Sequence, residues 1–288
     1  MQRGIFHRPH RPTDFSKLFP PRPAISSSRQ SSTNNASRSS VDPTEVSHFN
    51  ALASSWWDPQ GPSRLLHLMN PLRHEFITRC RSSPSANSTG KLRYLDIGCG
   101  GGIFAESAAR LPNTLSVTAI DPTPEVLKIA QAHKKRDPAL LAPGRLTYLN
   151  ASIEGLPTPE SPSEGYDVVS VFEVLEHVNA PGPFLEQVMQ QVKPGGWIVL
   201  STIARTWTSW MVTNVVAEDV LGIVPKGTHE WSKYVNEVEL KDWFANKGWG
   251  RNGGMKTMGV IYVPGLGWKE VPGGEGWGNY FFGVRRDE

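Results

Sequence analysis

A glycine-rich turn between a predicted strand and a predicted helix is the feature that most constrains how this chain can fold. Residues 92–102 read LRYLDIGCGGG: the apolar run Leu92–Ile97 is typical of a buried parallel strand, and the glycines after it allow a tight turn. A helix is predicted at Ile103–Arg110, and a second strand at 115–120 ends beside Asp121. A carboxylate at that position can accept hydrogen bonds from both hydroxyls of a ribose. The pattern therefore predicts an open α/β sheet that holds a nucleoside cofactor.

The spacing of the glycines separates two classes of cofactor. A dinucleotide-binding turn has the spacing G-x-G-x-x-G, which seats a pyrophosphate on the helix N-terminus. Here Gly98 and Gly100–102 lie in DIGCGGG. This variant resembles the first motif of class I methyltransferases, which bind S-adenosylmethionine and have no phosphate to hold. Asp121 then resembles the ribose-binding acid of those enzymes.

Composition excludes several other classes of protein. The 288 residues are enough for one large α/β domain. The sequence has no run of about 18 apolar residues, so no segment is predicted to span a membrane. Cys80 and Cys99 are the only cysteines, which argues against a disulfide scaffold and a cysteine-built zinc site and fits a reducing compartment.

The N-terminal segment accounts for the basic balance of the chain. Residues 1–40 contain six Arg, one Lys and one acid, Asp14, and without them the formal net charge changes from +3 to −3. The basic pI therefore does not favour nucleic-acid binding. A segment rich in Arg and Ser and poor in acids is typical of a mitochondrial transit peptide, although an untargeted disordered tail has a similar composition. We predict a disordered transit peptide at residues 1–40 and one folded domain at residues 41–288.

Strands and helices alternate along the rest of the chain. Further strands are predicted at 145–149, Tyr166–Phe172, 197–201, 256–263 and 278–284, and further helices at 44–54, Arg64–Arg81, 124–136, 183–192 and Glu237–Asn246. This alternation predicts an α/β fold with a doubly wound, mostly parallel seven-stranded sheet, N-terminal helices before it, and ligands at the carboxyl ends of the strands. A helical segment is predicted to be inserted after the fifth strand, at residues 203–235.

Two acids and a histidine follow the fourth predicted strand, in VFEVLEHV at residues 171–178. A helical turn there would place Glu173, Glu176 and His177 on one face. Such a group could hold a divalent metal near the cofactor, or His177 alone could act as a general base. Side chains that merely pair with their neighbours would give the same pattern, so the spacing leaves these alternatives open.

Longer stretches of sequence carry a closer resemblance. SSWWD and NPLR in residues 54–73, DIGCGGG, VFEVLEHV and VPKGTH at 224–229 together resemble the ubiquinone-biosynthesis O-methyltransferases, and in particular their mitochondrial members. The resemblance runs from about Val41 to the C-terminus and weakens after Gly259. The tryptophan-rich leader and VPKGTH are its most specific parts, because generic methyltransferases lack them. The fold that the resemblance implies is the Rossmann-like fold of class I methyltransferases.

The resemblance also implies roles for eight residues. The cofactor contacts of the family fall on Arg73, Gly98, Gly100, Asp121 and Phe172. Of these, Arg73 is expected to pair with the methionine carboxylate and Phe172 to line the adenine pocket. The metal ligands of the family fall on Glu173, Glu176 and His177, with Mg²⁺ the expected ion. His177 and Glu173 are the candidate catalytic residues.

The implied reaction is transfer of a methyl group from S-adenosylmethionine to a catechol hydroxyl of polyprenylated dihydroxybenzoate and demethylubiquinol intermediates, in ubiquinone (coenzyme Q) biosynthesis. A metal ion would act as a Lewis acid on the hydroxyl, or His177 would accept its proton. The implied partners are other subunits of a coenzyme Q biosynthetic complex, and no nucleic acid is expected. Two alternatives are a class I methyltransferase of another small-molecule acceptor and a non-catalytic, cofactor-binding subunit of such a complex.

The implied location is the mitochondrial inner membrane, on the matrix side and peripherally bound, because a polyprenyl substrate is held in the bilayer. The candidate membrane contact is residues 207–224, WTSWMVTNVVAEDVLGIV, within the predicted insertion. Apolar residues cover most of the circumference of such a helix, and it is too short to span a bilayer. A buried lid helix and an interfacial anchor are equally compatible with this pattern.

Overall fold

A computed structural model describes residues 39–82, 90–204 and 235–287 of the chain. The predicted transit peptide up to residue 38, and the predicted lid or anchor at residues 207–224, lie outside the described residues. Within the described ranges, no helix has both the length and the apolar character needed to cross a bilayer.

One eight-stranded sheet forms the centre of the described fold. Its strands are β1 (Leu92–Ile97), β2 (Thr114–Asp121), β3 (Leu146–Asn150), β4 (Tyr166–Phe172), β5 (Val192–Ile203), β6 (Met255–Val263), β7 (Gly267–Val271) and β8 (Asn279–Arg285). They lie in the spatial order β3-β2-β1-β4-β5-β8-β6-β7. Strands β1 to β5 pair in parallel, whereas β8 is antiparallel to β5 and β6, and β7 is antiparallel to β6. The prediction of a mostly parallel, doubly wound α/β sheet is confirmed.

Six α-helices flank the sheet within the described residues: α1 (Pro43–Leu52), α2 (Arg64–Arg81), α3 (Ile103–Arg110), α4 (Pro124–Lys134), α5 (Pro181–Gln190) and α6 (Glu237–Asn246). Local sequence fixes several of their starts. The side chain of Asp42 caps α1 by accepting from the N–H of Thr44 at 2.8 Å. Asn236 and Glu239 form a capping box at the start of α6. Proline is the first residue of α1, α4 and α5, a position where its missing N–H costs nothing.

Alternate residues of the central strands face two helical layers. On β4, Val168 packs into a core that contains residues of α2, α3 and α4, such as Phe76. Val169 and Val171 pack into a second core on the other face, with residues of α5 and α6 such as Phe244. Because both faces are covered, the central strands β1 and β4 are buried almost throughout rather than at alternate residues.

The sheet has one strand more than the seven predicted. The additional strand is β7, which forms a hairpin with β6 at one edge of the sheet. Its sequence, GWKEV, has Lys269 and Glu270 exposed to solvent. Such a short and polar strand lacks the apolar run that marks the central strands, and this composition is common at sheet edges because it discourages pairing with other chains.

Candidate active site

The glycine turn folds against Asp121 at the carboxyl end of β2. Gly98 and Gly100 have φ values of 67° and 53°, in the left-handed region that glycine adopts without strain. The N–H of Gly100 donates to Oδ2 of Asp121 at 2.8 Å, and the N–H of Thr123 donates to Oδ1 at 2.8 Å. Burial raises the pKa of Asp121, although these hydrogen bonds lower it. Each carboxylate oxygen has a further lone pair and can still accept from a ligand.

Two adjacent tryptophans hold the outer side of this turn. A Cβ atom added at Gly101 would lie 2.2 Å from Cδ1 of Trp56. Nε1 of Trp57 donates to the carbonyl of Gly101 at 2.9 Å, and the Trp57 ring stacks on His133 with centroids 3.5 Å apart. In the sequence, the WW pair is recognisable only as a family signature. Its contact with a turn more than 40 residues away was missed.

Arg73 is a buried cation beside the same turn. It lies on α2 with 4% of its surface exposed, and its Cζ is 4.9 Å from the centroid of the Phe172 ring. Burial lowers the pKa of Arg73, whereas the charges of Glu173 and Asp96 raise it. Among the described residues, its Nε has no hydrogen-bond partner. An anionic group of a ligand would satisfy such a donor.

The acidic segment after β4 does not form the helical turn that would place its two acids and His177 on one face. Glu173 has a φ of 55°, and the short 3₁₀ turn that follows covers only Leu175–His177. The N–H of Glu173 still donates to the carbonyl of Ser201 on β5, at 3.0 Å. Because this bond continues the sheet past the end of β4, Glu173 cannot share a helical face with His177. The helical arrangement, which the sequence left open, is therefore not formed.

The carboxylates of this segment contact strands β5 and β8. Oγ of Ser201 and Nδ2 of Asn279 donate to Glu173, at 2.6 and 3.3 Å. Oγ1 of Thr202 donates to Glu176 at 2.8 Å. Within residues 39–82, 90–204 and 235–287, no three His, Cys, Asp or Glu side chains are arranged to hold a metal ion. The predicted three-residue metal site is not formed in this conformation.

His177 contacts helix α1 instead of the two carboxylates. Its Nδ1 donates to Oε2 of Glu45 at 3.0 Å, and its ring packs edge-on against Phe49, with centroids 5.2 Å apart. Burial alone would lower the pKa of His177, but the hydrogen bond to Glu45 and the charges of Glu176 and Glu45 raise it above its usual value. The role of Glu45 was missed, because nothing local in the sequence relates α1 to the acidic segment.

The electrostatics of Glu173 reflect a buried pair of acids. Its burial and the nearby charge of Glu176 raise the pKa of Glu173 to about 7. Arg73 and His177 lower the pKa of Glu173 without offsetting these two effects. A further cation beside the two carboxylates would favour the charged form of Glu173.

One cavity of about 900 Å³ brings the predicted site residues together. All eight of them line it: Arg73, Gly98, Gly100, Asp121, Phe172, Glu173, Glu176 and His177. Its volume is near the upper end of the roughly 300–1,000 Å³ of small-molecule pockets. A second groove of about 990 Å³, lined partly by Trp243 and Lys247, contains none of the eight.

Known proteins are similar in sequence to this chain over most of its length. Residues 57–250 match the family pattern of a methyltransferase domain. The mitochondrial ubiquinone biosynthesis O-methyltransferase of Schizosaccharomyces pombe is 44% identical over 252 residues, which cover 86% of this chain and 87% of the relative. The corresponding protein of Candida albicans is 38% identical, with 86% of each chain covered. The ubiquinone biosynthesis O-methyltransferase of Rhodopseudomonas palustris is 35% identical, covering 82% of this chain and 90% of the relative.

Solved structures share the fold at much lower identity. Magnesium protoporphyrin IX methyltransferase from Synechocystis, with bound SAH, superposes with a TM-score of 0.58 at 15% identity, covering 85% of this chain and all of that one. The plantazolicin methyltransferase in complex with SAH has a TM-score of 0.55 at 17% identity, covering 85% of this chain and 97% of that one. The sheet therefore has the same fold as these two methyltransferases. Given its identity to the curated relatives over most of both lengths, this chain belongs to the family of ubiquinone biosynthesis O-methyltransferases.

Proposed function

We propose that this protein transfers a methyl group from S-adenosylmethionine to a phenolic hydroxyl of a polyprenylated catechol or quinol, as a step of ubiquinone biosynthesis. One observation carries the proposal: the cavity of about 900 Å³ is lined both by the residues expected to bind the cofactor and by the acidic segment expected to act on the hydroxyl. Methyl transfer needs both ligands to be held in contact, and positioning of this kind can contribute roughly 7–11 kcal/mol.

The cofactor would be held by three side chains. Asp121 keeps lone pairs free for the ribose hydroxyls, while Gly100 and Thr123 fix its orientation. Arg73 offers its unpaired Nε to the methionine carboxylate. Phe172 ends β4 beside Arg73 and provides an apolar surface for the cofactor.

The hydroxyl would be activated by His177. A catechol is mostly protonated at neutral pH, so its oxygen is a weak nucleophile. With Nδ1 donating to Glu45, neutral His177 has Nε2 free to accept the hydroxyl proton. S-adenosylmethionine supplies an electrophilic methyl group. As the new O–C bond forms, the C–S bond breaks, its electrons remain on sulfur as a neutral thioether, and the proton passes to His177.

A divalent metal ion fits a smaller set of residues than the sequence predicts. Mg²⁺ is commonly bound by one or two carboxylates while it keeps several waters. Glu173 and Glu176 offer two carboxylates, and a cation beside them would counter the burial and the repulsion that together raise the pKa of Glu173. His177 is not included in this set, because its Nδ1 donates a hydrogen bond to Glu45. We therefore propose Glu173 and Glu176 as the residues that would hold the ion, which would supply Lewis-acid polarisation of the hydroxyl.

The proposed location is the matrix side of the mitochondrial inner membrane. The fungal relatives are named mitochondrial, and residues 1–40 have the composition of a transit peptide. We also propose that residues 41–288 form the methyltransferase domain, that the protein binds the membrane peripherally through residues 203–235, and that it associates with other subunits of a coenzyme Q biosynthetic complex. Fusion of residues 1–40 to a fluorescent protein tests the mitochondrial targeting. We expect mitochondrial fluorescence, and diffuse cytosolic fluorescence would contradict the transit peptide.

Labelled methyl transfer tests the reaction itself. The purified protein is supplied with S-adenosylmethionine carrying a labelled methyl group and with a catechol that bears a short prenyl chain. We expect label in the methyl ether of the product. Transfer only to acceptors that are not catechols would favour a methyltransferase of another substrate. Tight cofactor binding without transfer to any acceptor would favour a non-catalytic subunit.

A further inference from the structure

The part of the cavity away from Asp121 has an apolar lining. In the sheet, β1 and β2 lie on one side of β4, and β5, β8, β6 and β7 lie on the other. Glu173 directly follows β4, so it separates the cofactor side of the cavity from this second side. The second side is lined by residues of α2 and the β6–β7 hairpin: Leu65, Met69, Val260, Ile261, Pro264 and Trp268.

The hairpin is fixed to α2 by hydrogen bonds. Nε1 of Trp268 donates to the carbonyl of Leu65 at 3.0 Å, and the Trp268 ring packs edge-on against Tyr262, with centroids 5.6 Å apart. The hydroxyl of Tyr262 accepts from Arg64 at 3.1 Å. The apolar wall is thus a built part of the fold, held on both strands of the hairpin.

Trp277 lies at the opening of this apolar part. It lines the cavity, yet 57% of its surface is exposed to solvent. Its N–H donates to the carbonyl of Gly274 at 2.9 Å. A Cβ atom added at Gly259 on β6 would lie only 2.4 Å from the backbone of Gly274, so the Trp277 loop packs closely on the strand. A large apolar side chain that both lines the cavity and reaches solvent can contact a ligand where the ligand leaves the protein.

The opening is close to the carboxylate at the centre of the site. Asn279 lies two residues after Trp277 and donates to Glu173 at 3.3 Å. Two residues span no more than about 7 Å of chain. A group that reacts beside Glu173 and carries an apolar tail would therefore reach Trp277 with the first part of that tail.

We propose that the apolar part of the cavity receives the first isoprene units of the acceptor and that Trp277 covers the tail where it leaves the protein. Trp277 is then a specificity-determining residue for the tail. This inference rests on the proposed function, since an acceptor without a tail would leave the apolar part empty. The headgroup, which reacts beside Glu173 and His177, makes no use of Trp277.

Steady-state kinetics with a graded series of acceptors test this role. The full-length protein is assayed with catechols that carry zero, one, two or three isoprene units, in one detergent throughout. For the wild type we expect KM to fall as units are added. For Trp277→Ala we expect KM for the acceptor with three isoprene units to rise by at least about tenfold. We expect kcat to be unchanged, and KM for the acceptor without isoprene units to be unchanged as well. Trp277→Phe is expected to restore most of the dependence on tail length.

Controls separate this role from folding and from the proposed function. Leu115→Ala, at a residue of β2 with similar exposure of 53%, should leave the series unchanged. Unfolding temperature and S-adenosylmethionine affinity should be equal in all variants. An unaltered dependence on tail length in Trp277→Ala would overturn the proposal. The proposal would also be overturned if Trp277→Ala lost only its binding to phospholipid vesicles, because Trp277 would then contact lipid and not the acceptor. If the wild type methylates no member of the series, the proposed function itself fails.

Discussion

Nδ1 of His177 lies 3.0 Å from Oε2 of Glu45, although the two residues are 132 positions apart. The contact joins helix α1 to the acidic segment after β4. The residue that orients the proposed proton acceptor, His177, therefore comes from an element outside the sheet. The same carboxylate that fixes the ring orientation also raises the pKa of His177. Both the orientation and the basicity of His177 therefore depend on Glu45.

The pH profile of kcat/KM should respond to Glu45. His177 must be neutral to accept a proton, so the wild-type rate should fall as the pH drops through the raised pKa of His177. Glu45→Gln removes the charge but can keep a hydrogen bond, so the acid limb should move to lower pH. Glu125→Gln, at an exposed acid on α4, is the matched control. An acid limb at the same pH in Glu45→Gln would argue against His177 as the base.

Asp121→Ala should weaken S-adenosylmethionine binding by roughly 1.5–3 kcal/mol, the range for a hydrogen bond to a charged group. Titration calorimetry measures the loss. Since Asp121 also holds the N–H groups of Gly100 and Thr123, the free energy of unfolding is measured alongside. Asp137→Ala, at an acid on the surface, is the control. Equal affinity in a folded Asp121→Ala variant would exclude the ribose-binding role.

Arg73→Met should discriminate between cofactor fragments. Affinity for S-adenosylmethionine should fall by roughly 1.5–3 kcal/mol, because the charged hydrogen bond to the methionine carboxylate is lost. Affinity for methylthioadenosine, which has no carboxylate, should change little. Methionine is chosen because its length and apolar surface keep the packing on Phe172. A parallel loss for both ligands would indicate that Arg73 shapes the pocket rather than pairing with the carboxylate.

Gly101→Ala should lower the free energy of unfolding, because the added methyl group would collide with the Trp56 ring. Gly101 is not in the left-handed region, so an added methyl group meets steric conflict with Cδ1 of Trp56 and little backbone strain. Overpacking of this kind costs about 1–3 kcal/mol. In a Trp56→Ala background the same substitution should cost about 1 kcal/mol less, and denaturant unfolding of the four proteins measures the difference. Strict additivity would contradict the contact.

Metal binding can be measured without turnover. Mn²⁺ added to the protein is followed by its electron spin resonance signal, which falls as the ion binds. Glu173→Gln and Glu176→Gln should each remove most of the binding, and the double variant should lose no more, because they disable one site. His177→Ala should retain it. A loss in His177→Ala equal to that of the Glu variants would favour the three-residue site.

The sequence predicted the sheet well where strands are buried on both faces. The bounds of β1 and β4 and of helices α2, α3 and α6 agree with the prediction. Short apolar runs mark the two strands, and a capping box marks the start of α6. Strand β7 was missed, since an edge strand with exposed Lys269 and Glu270 carries no such signal. The eight residues that the family resemblance implies as site residues line one cavity, and their roles stay predictions.

The arrangement of side chains within the site could not be predicted from spacing. Glu173, Glu176 and His177 are near neighbours in sequence, which favours the interpretation of a single cluster. Their orientations are instead set by partners on β5, β8 and α1. These partners lie 26 to 132 residues away in the chain. Such contacts arise only once the sheet has formed, so local pattern gives no access to them.

The left-handed backbone of Glu173 has a consequence for the evolution and engineering of this enzyme. A residue other than glycine at a φ of 55° costs about 1–3 kcal/mol, a large part of the net stability of a domain. Glu173→Gly would remove this strain, although Ser201 and Asn279 would lose the carboxylate to which they donate. Because this carboxylate is also proposed to hold a metal ion, position 173 should be held constant in any stabilisation campaign, even where glycine there would raise stability.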